Sequence, residues 1–156
     1  METRLKRIAP HIRKATKRDV RILATLHDES FGDARWSLTQ ISDSVALETT
    51  MALIALEGET AWGFILCQIA GEDVEILTFC VAPAARRTGA GLFLLLAALE
   101  EMRHRGAKRV FLEVAADNTA ALALYNKARF RMTGKRAGYY KNKENAIDAV
   151  MMAFDL

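Results

Sequence analysis

The feature that most constrains the fold of this chain is a strand–helix–strand pattern in its second half. Val74–Ala82 is an apolar run that ends at a proline, and Leu92–Arg105 has the length and apolar content of a helix. Arg109–Ala115 then returns to the alternation of a strand. Two strands that are joined by a helix pair in parallel through a right-handed crossover. The pattern therefore predicts a mixed α/β domain with one parallel pair of strands.

The other segments carry local signals of their own. Ser37 and Gln40 have the spacing of a capping box, with Trp36 and Ile41 at the positions of a hydrophobic staple. The further elements expected are strands at His11–Ala15, Met51–Glu57, Ala61–Ile69, Phe130–Lys141 and Ile147–Phe154, and helices from Thr16, from Ser37 to about Leu47 and from Asp117/Asn118 to about Ala128. Because the chain has 156 residues, 51% of them apolar, we expect residues 1–156 to form a single domain.

Composition argues against several classes of protein. The longest apolar run, Leu92–Leu99, is far shorter than the roughly 18 residues that cross a bilayer, so no membrane partner is expected. No apolar segment follows the basic N-terminus, which indicates a cytoplasmic protein without a secretory signal. Cys67 and Cys80 lie in apolar runs and the histidines are scattered, so we expect no metal site. The net charge is only +3 and the sequence has no recognisable nucleic-acid-binding motif, so no direct nucleic-acid binding is expected.

The segment Arg86–Gly91 lies between the first strand of the crossover and its helix. Its glycines allow the backbone to approach a ligand, and a helix start offers free N–H donors and a positive dipole end. Arg86 and Arg87 would add charge-assisted hydrogen bonds. These properties favour a site for phosphate or pyrophosphate. A flexible connector would have a similar composition, so the loop alone leaves both interpretations open.

Two segments together resemble a known family. Glu75–Gly91, which ends in the pattern R-x-x-G-x-G, resembles motif A of the GNAT superfamily of N-acetyltransferases, and Leu112–Phe130 resembles its motif B. The resemblance is dense from Val74 to Leu156. Elements similar to the branch that acetylates the N-terminal alanine of a ribosomal protein are Glu113-Val114, Asn118, Ala123-Leu124-Tyr125, Tyr139-Tyr140, Asp148-Ala149 and Met152-Ala153.

The resemblance implies a fold and a co-substrate. The family's fold is a single domain with about four helices and a mixed, mostly antiparallel sheet, whose parallel central pair is splayed around acetyl-CoA. Pantetheine and thioester would face the backbone of Phe79, Cys80 and Val81, for which an ordinary buried strand is the alternative. The residues expected at the pyrophosphate are Arg86, Arg87, Thr88, Gly89, Ala90, Gly91 and Leu92.

Three positions depart from the family pattern. Thr88 and Leu92 stand in a stretch that is commonly more basic, which removes two possible phosphate partners. Arg129 stands where a glycine commonly ends the helix before Phe130, so we expect that helix end to differ locally.

Glu113 and Tyr125 are the expected catalytic residues. By alternation, Glu113 lies on the opposite face of its strand from Leu112 and Val114. The resemblance assigns Glu113 the role of general base, and Tyr125 could protonate the leaving thiolate. The alternatives are a rim carboxylate or structural ion pair for Glu113 and a core aromatic for Tyr125. Asn118 would bind the cofactor, cap its helix, or do both.

The sequence says less about the acceptor. Tyr139 and Tyr140 could line a groove for an extended N-terminal peptide, or be ordinary strand aromatics. We expect transfer of acetyl from acetyl-CoA to a primary amine, a protein N-terminal α-amine of the ribosomal-protein-alanine type. A small-amine acetyltransferase, acting on polyamine- or aminoglycoside-like acceptors, and a non-catalytic acetyl-CoA-binding module are the alternatives. The protein is expected to be a monomer or weak homodimer.

Overall fold

A seven-stranded sheet forms the centre of the protein in the computed structural model, which describes residues 10–141 and 146–156. In chain order the elements are β1 (His11–Lys14), α1 (Val20–Phe31), α2 (Leu38–Ala46), β2 (Thr50–Glu57), β3 (Thr60–Ala70), β4 (Asp73–Val81), α3 (Ala90–His104), β5 (Arg109–Ala115), α4 (Thr119–Lys127), β6 (Arg131–Lys141) and β7 (Ala146–Asp155). The strand order is β1-β2-β3-β4-β5-β7-β6, and among the described residues β4 and β5 form the only parallel pair. Within residues 10–141 and 146–156, the predicted mixed, mostly antiparallel sheet with one parallel pair and four flanking α-helices is confirmed.

Most helices and strands begin and end within two residues of the positions predicted from the sequence. Ser37 Oγ accepts the Gln40 N–H at 3.1 Å, and Gln40 Oε1 accepts the Ser37 N–H at 2.7 Å, which completes the capping box before α2. The Thr16 signal precedes a 3-10 turn at Lys17–Asp19 that leads into α1. The crossover helix α3 begins at Ala90, two residues before the expected Leu92.

Two apolar layers cover the two faces of the sheet. One layer packs α3 against β2, β3 and β4, extends to residues of β5 and α4, and includes Leu95, Leu99 and Val110. The other packs α1 and α2 over the first half of the sheet and includes Ile41 and Phe64. Burying an aliphatic or aromatic side chain of this size contributes about 1.5–3 kcal/mol, so both layers hold the central strands in place.

His27 fixes the connection between α1 and α2, which its sequence position did not reveal. Its side chain is buried, and Nδ1 accepts the Trp36 N–H at 3.0 Å. The imidazole packs against the Phe31 ring with centroids 4.4 Å apart and lies 6.5 Å from the Phe64 ring. Burial lowers the pKa of His27, which favours the neutral imidazole that this hydrogen bond requires.

The end of α4 keeps the geometry of a glycine-terminated helix, although Arg129 occupies the glycine position. Arg129 has φ +70, the Phe130 N–H reaches the Tyr125 carbonyl at 3.0 Å, and the Arg129 N–H reaches the Asn126 carbonyl at 3.0 Å. These two bonds define a Schellman motif, and the Tyr125 and Phe130 rings pack 5.5 Å apart as its apolar contact. The expectation of a different helix end is therefore wrong: a strained arginine retains the motif.

Arg129→Gly is expected to stabilise the fold by about 0.5–1 kcal/mol. A left-handed conformation costs a residue with a Cβ roughly 1–2 kcal/mol, and glycine removes this cost. The greater conformational freedom of glycine in the unfolded chain offsets about half of that stabilisation. Denaturant unfolding would measure the change. Lys127→Gly removes the same charge from a right-handed position and is expected to destabilise by about 1 kcal/mol. An Arg129→Gly protein no more stable than the parent would contradict the assignment of strain.

Candidate active site

The strands β4 and β5 separate after a short stretch of pairing. Asp73–Glu75 pairs with Arg109–Phe111, and no further pair joins these two strands. On its other edge β4 pairs with β3 through Ile76 and then Thr78, which leaves Leu77 as a bulge. A bulge bends and twists the strand that contains it. The bulge and the short pairing together place an opening beside the C-terminal end of β4.

The bulge also determines which way the last residues of β4 face. Phe79 packs against the α3/α4 layer, and Cys80 is buried in the α1/α2 layer. On the edge that faces β5, the backbone groups of Phe79–Val81 have no strand partner. Unpaired backbone groups of this kind are available to a ligand. These three residues were expected to face the thioester, and the structure places their backbone at the opening.

Gly63 on β3 allows the end of β4 to lie where it does. A Cβ added to Gly63 would be 2.5 Å from the Cys80 carbonyl oxygen and 3.3 Å from the Val81 Cα. Both are backbone atoms, so no side-chain rotation could relieve the contact. Glycine is therefore required here by close backbone approach.

Gly63→Ala is expected to destabilise the protein by about 1–3 kcal/mol, because the added methyl group forces the backbone to shift and overpacking typically costs this much free energy. Because the shift moves Cys80 and Val81, we also expect the Kd for CoA to rise about tenfold, which corresponds to about 1.4 kcal/mol. Unfolding experiments and calorimetric titration with CoA would measure both effects. Gly134→Ala is the matched control, because its added Cβ would meet only the Met151 Sδ at 3.6 Å. Equal behaviour of the two variants would contradict the role of Gly63.

The loop 86–91 is exposed for most of its length and holds two left-handed residues. Arg87 has φ +60 and Gly89, the N-cap of α3, has φ +87. The Thr88 hydroxyl donates to the Ala85 carbonyl and accepts the Ala90 N–H at 3.3 Å, while Arg86 Nε donates to the Val81 carbonyl at 3.2 Å. A helix start of this kind leaves further amides free for an anion. Gly91 lies close to Val81: a Cβ added to Gly91 would be 3.2 Å from Val81 Cγ2.

Glu113 lies near the end of β5 on the face away from α3 and α4. Its neighbours Leu112 and Val114 are buried in the α3/α4 layer, whereas the Glu113 side chain is 22% exposed. Glu113 Oε1 lies 3.2 Å from Arg136 Nη2 of β6. The carboxylate is thus both accessible and paired with a cation. An ion pair was one of the alternatives for Glu113, but the sequence did not identify Arg136 as the partner.

Tyr125 projects from α4 into the apolar layer beside the opening. Its side chain is buried, and its ring lies 6.4 Å from the Phe79 ring. Burial raises the pKa of Tyr125 above its usual value, so the hydroxyl keeps its proton. Asn118 is exposed and caps α4, with Oδ1 accepting the Ala121 N–H at 3.1 Å. Capping is therefore the role that the structure shows for Asn118, and cofactor contact stays a prediction.

Tyr139 and Tyr140 lie at a second irregular region, where the pairing of β6 with β7 shifts register between Arg136 and Tyr140. Their rings meet edge to face, 5.1 Å apart. Tyr139 is exposed, and Tyr140 is partly buried. Burial raises the pKa of Tyr140, and the Glu113 charge raises it further. Glu113 and these two tyrosines therefore share one side of the sheet with Arg136.

The cysteines are poor candidates for chemistry. Cys67 and Cys80 are both buried, and burial raises the pKa of Cys80 to about 11. A thiol in this state is a weak nucleophile near neutral pH. In the part of the chain that the structure describes, no three His, Cys, Asp or Glu side chains are arranged to hold a metal ion.

Diverging parallel strands, a phosphate-type loop at a helix start and a carboxylate beside the opening define an acetyltransferase-type architecture. The sequence model described as the Acetyltransferase (GNAT) family matches residues 19–130. The protein belongs to this family.

Individual relatives are named for two different kinds of acceptor. The ribosomal protein bS18-alanine N-acetyltransferase of Escherichia coli K12 is 32% identical over 93 residues, which are 60% of this chain and 63% of that relative. The chain thus matches less than two thirds of the relative's length. A mycothiol acetyltransferase of Corynebacterium efficiens is 32% identical over 116 residues, which are 74% of this chain and 39% of that protein.

Solved structures show the same fold. The ribosomal-protein-S18-alanine N-acetyltransferase from Escherichia coli superposes with a TM-score of 0.88 at 24% identity, covering 94% of this chain and 93% of that one. Arabidopsis thaliana NAA60 in complex with acetyl-CoA superposes with a TM-score of 0.83 at 18% identity, covering 94% and 98%. Within residues 10–141 and 146–156, none of the helices has the length and apolar character needed to cross a membrane.

Proposed function

We propose that this protein transfers an acetyl group from acetyl-CoA to a primary amine, the α-amine of a protein N-terminus. The observation that carries the proposal is the position of Glu113, an accessible carboxylate on β5 beside the opening between β4 and β5. Membership of the GNAT family supports the donor, and the relatives named for ribosomal-protein alanine support the acceptor.

The residues present fit acetyl-CoA as the donor. The backbone of Phe79–Val81 has no partner on its β5 edge and would hold the pantetheine and thioester. The loop 86–91 with the first turn of α3 would hold the pyrophosphate. A Cβ added to Gly89 would meet no atom within 4 Å, so this side of the backbone is open. Arg86 and Arg87 would supply charge to the same anion. When bound, acetyl-CoA supplies an activated acyl group, and the remaining chemistry belongs to the protein.

In this mechanism the neutral amine attacks the thioester carbon, so that a C–N bond forms and the C–S bond breaks. The ammonium loses two protons, one to Glu113 before the attack and one to solvent after it, and the proton donor to the thiolate is reprotonated from solvent. Glu113 takes the proton of the amine, directly or through a water molecule. A backbone amide near Cys80–Val81 stabilises the negative charge that develops on the thioester oxygen. Tyr125, which keeps its proton because burial raises its pKa, donates to the departing thiolate. Holding both substrates in one opening supplies much of the rate by proximity.

The α-amine is the acceptor that this site would deprotonate most easily. An α-amino group has a pKa near 7.7–8.0, whereas a lysine-type amine has one near 10.4. The difference of about 2.5 units makes the neutral α-amine roughly 300-fold more abundant at pH 7. Carboxylates in general are weak bases, and a more acidic ammonium suits a carboxylate base. Tyr139 and Tyr140 would border the acceptor peptide.

A small-molecule amine is the second candidate. The relative named for mycothiol, rather than for a protein, aligns over 74% of this chain and favours it. The two candidates share the donor site and differ in the surface around Tyr139 and Tyr140.

Measurement of thiol release would separate the candidates. The purified chain is given acetyl-CoA with peptides that begin with Ala or Ser, and in parallel with polyamines and aminoglycosides. A kcat/KM at least tenfold higher for one of the peptides supports the proposal. The same peptide with its N-terminus blocked is the control and should give no turnover. A higher kcat/KM for a small amine would replace the protein acceptor, and CoA binding without turnover on any amine would indicate a non-catalytic module.

A further inference from the structure

His27 ties the end of α1 to the segment that follows it. Residues 32–36 form the α1–α2 connection, and its last residue, Trp36, donates its backbone N–H to His27 Nδ1 at 3.0 Å. The imidazole is buried, whereas the connection before Trp36 is exposed. The connection also has an ion pair, between Arg35 and Asp28 at 3.3 Å, but both side chains are more than half exposed. Because an exposed ion pair contributes little, the hydrogen bond to His27 is the buried tie of the connection.

Loss of the acceptor atom at position 27 would leave the Trp36 N–H without a partner. Trp36 is partly buried, and its ring lies 5.4 Å from the imidazole. A donor that is buried without a partner costs its full desolvation, so the connection would move until the N–H reaches water. The Phe31 ring, which packs 4.4 Å from the imidazole, would lose its support at the same time. The position of the connection therefore depends on an acceptor at position 27.

The connection begins beside the opening between β4 and β5. The His27 ring lies 6.5 Å from that of Phe64, which pairs with Cys80 near the end of β4. Burial raises the pKa of the Cys80 thiol, and the hydroxyl of Ser30, in the last turn of α1, acts on it in the opposite direction, which places Ser30 beside Cys80. Since α1 packs mainly on β3 and β4 and α2 mainly on β2, α1 is the helix of its layer that lies nearest to β5.

Glu113 projects from β5 on the face of the sheet that this layer covers. In the strand order β4-β5-β7-β6, Glu113 stands between the end of α1, over β4, and the β6 residues Tyr139 and Tyr140. Phe31, after which the connection begins, is apolar yet 39% exposed. An acceptor that approaches Glu113 on this face would therefore meet Phe31 and the connection on one side and the two tyrosines on the other.

We propose that His27 is a positioning residue for the acceptor, because it holds the α1–α2 connection as one wall of the acceptor site. The inference rests on the proposed acetyl transfer. His27 is buried too deeply to touch a substrate, so it acts through Trp36 and Phe31. The donor is held elsewhere, by the backbone of β4 and by the loop 86–91. Loss of the hydrogen bond should therefore weaken binding of the acceptor and leave binding of CoA unchanged.

The test compares His27→Leu with His27→Asn. The two new side chains branch alike at Cγ and both lack the imidazole ring, but the Asn Oδ1 can accept the Trp36 N–H from nearly the position of Nδ1. We expect His27→Leu to raise KM for the best acceptor peptide about tenfold, with kcat and the Kd for CoA within about twofold of the parent. His27→Asn should stay within about threefold of the parent in KM. Steady-state thiol release and calorimetric titration with CoA would measure these quantities.

Hydrogen exchange of the Trp36 amide reports on the bond itself, without any substrate. Exchange should be at least about tenfold faster in His27→Leu than in the parent and nearly unchanged in His27→Asn. Asp28→Asn is the matched control on α1, because it removes the exposed ion pair with Arg35 and should leave both the exchange rate and KM unchanged. The inference is overturned if the Trp36 amide of His27→Leu exchanges like that of the parent, or if both variants at position 27 raise KM equally.

The exchange measurement keeps this inference distinct from the proposed function. Faster exchange in His27→Leu, with no turnover of the parent on any amine, would overturn acetyl transfer and, with it, the role of His27 toward an acceptor. It would retain the hold of His27 on the connection. Turnover of the parent with an unchanged KM in His27→Leu would retain acetyl transfer and overturn the inference about His27.

Discussion

Glu113→Gln is expected to lower kcat by about 10²–10⁴-fold while the Kd for CoA changes less than twofold. The amide has nearly the same shape as the carboxylate but cannot accept the proton of the amine, and general-base catalysis contributes about this factor. The side chain projects from the face of β5 opposite the α3/α4 layer, so the donor contacts at β4 and the loop 86–91 should be retained. Steady-state thiol release at saturating acetyl-CoA and acceptor, with calorimetric titration of CoA, would measure both quantities.

Two comparisons separate loss of a base from loss of an ion pair. Glu75→Gln alters another strand carboxylate, which lies on β4 where it is still paired with β5, and should keep full activity. Arg136→Met breaks the same ion pair as Glu113→Gln but leaves the carboxylate in place. If the two variants at the ion pair lost kcat equally, Glu113 would be a structural partner of Arg136. A kcat loss confined to Glu113→Gln identifies the base.

Most of the fold could be predicted because its signals are local. The capping box at Ser37 and Gln40 depends on a few neighbouring residues, and it occurs where the sequence placed it. The parallel pair follows from the helical crossover that joins its two strands. The position of β7 between β5 and β6 has no local signal, because it depends on which long-range pairing buries more apolar surface.

The candidate site divides in the same way. Glu113 and Tyr125 lie in a segment with a recognisable motif, so the sequence could name them. Arg136 could not be found, because its approach to Glu113 depends on the strand order and on the register shift that follows it in β6. The hydrogen bond between His27 and Trp36 was also not predicted, since it joins a helix side chain to a backbone N–H nine residues later in a connecting segment.

Tyr125→Phe is expected to lower kcat by about 10²-fold, with little change in stability. The ring contacts with Phe79 and Phe130, at 6.4 and 5.5 Å between centroids, do not involve the hydroxyl and should remain. The loss of rate should be at the low end of the range for general-acid catalysis, because a thiol has a pKa near 8.5 and its thiolate leaves without much assistance. Turnover at saturating substrates, with the unfolding free energy measured in parallel, would check both expectations.

The pH dependence of turnover tests the same assignment without a mutation. Burial raises the pKa of Tyr125 above the ordinary value of about 10, so the phenol keeps its proton throughout the neutral range. A proton donor of this kind should give no alkaline loss of kcat below about pH 9.5.

Tyr139→Phe is the matched control for Tyr125→Phe. Tyr139 is exposed and would border the acceptor, so its variant should change KM for the acceptor more than kcat. Normal kcat in Tyr125→Phe would make Tyr125 a core aromatic and leave the thiolate to be protonated by solvent.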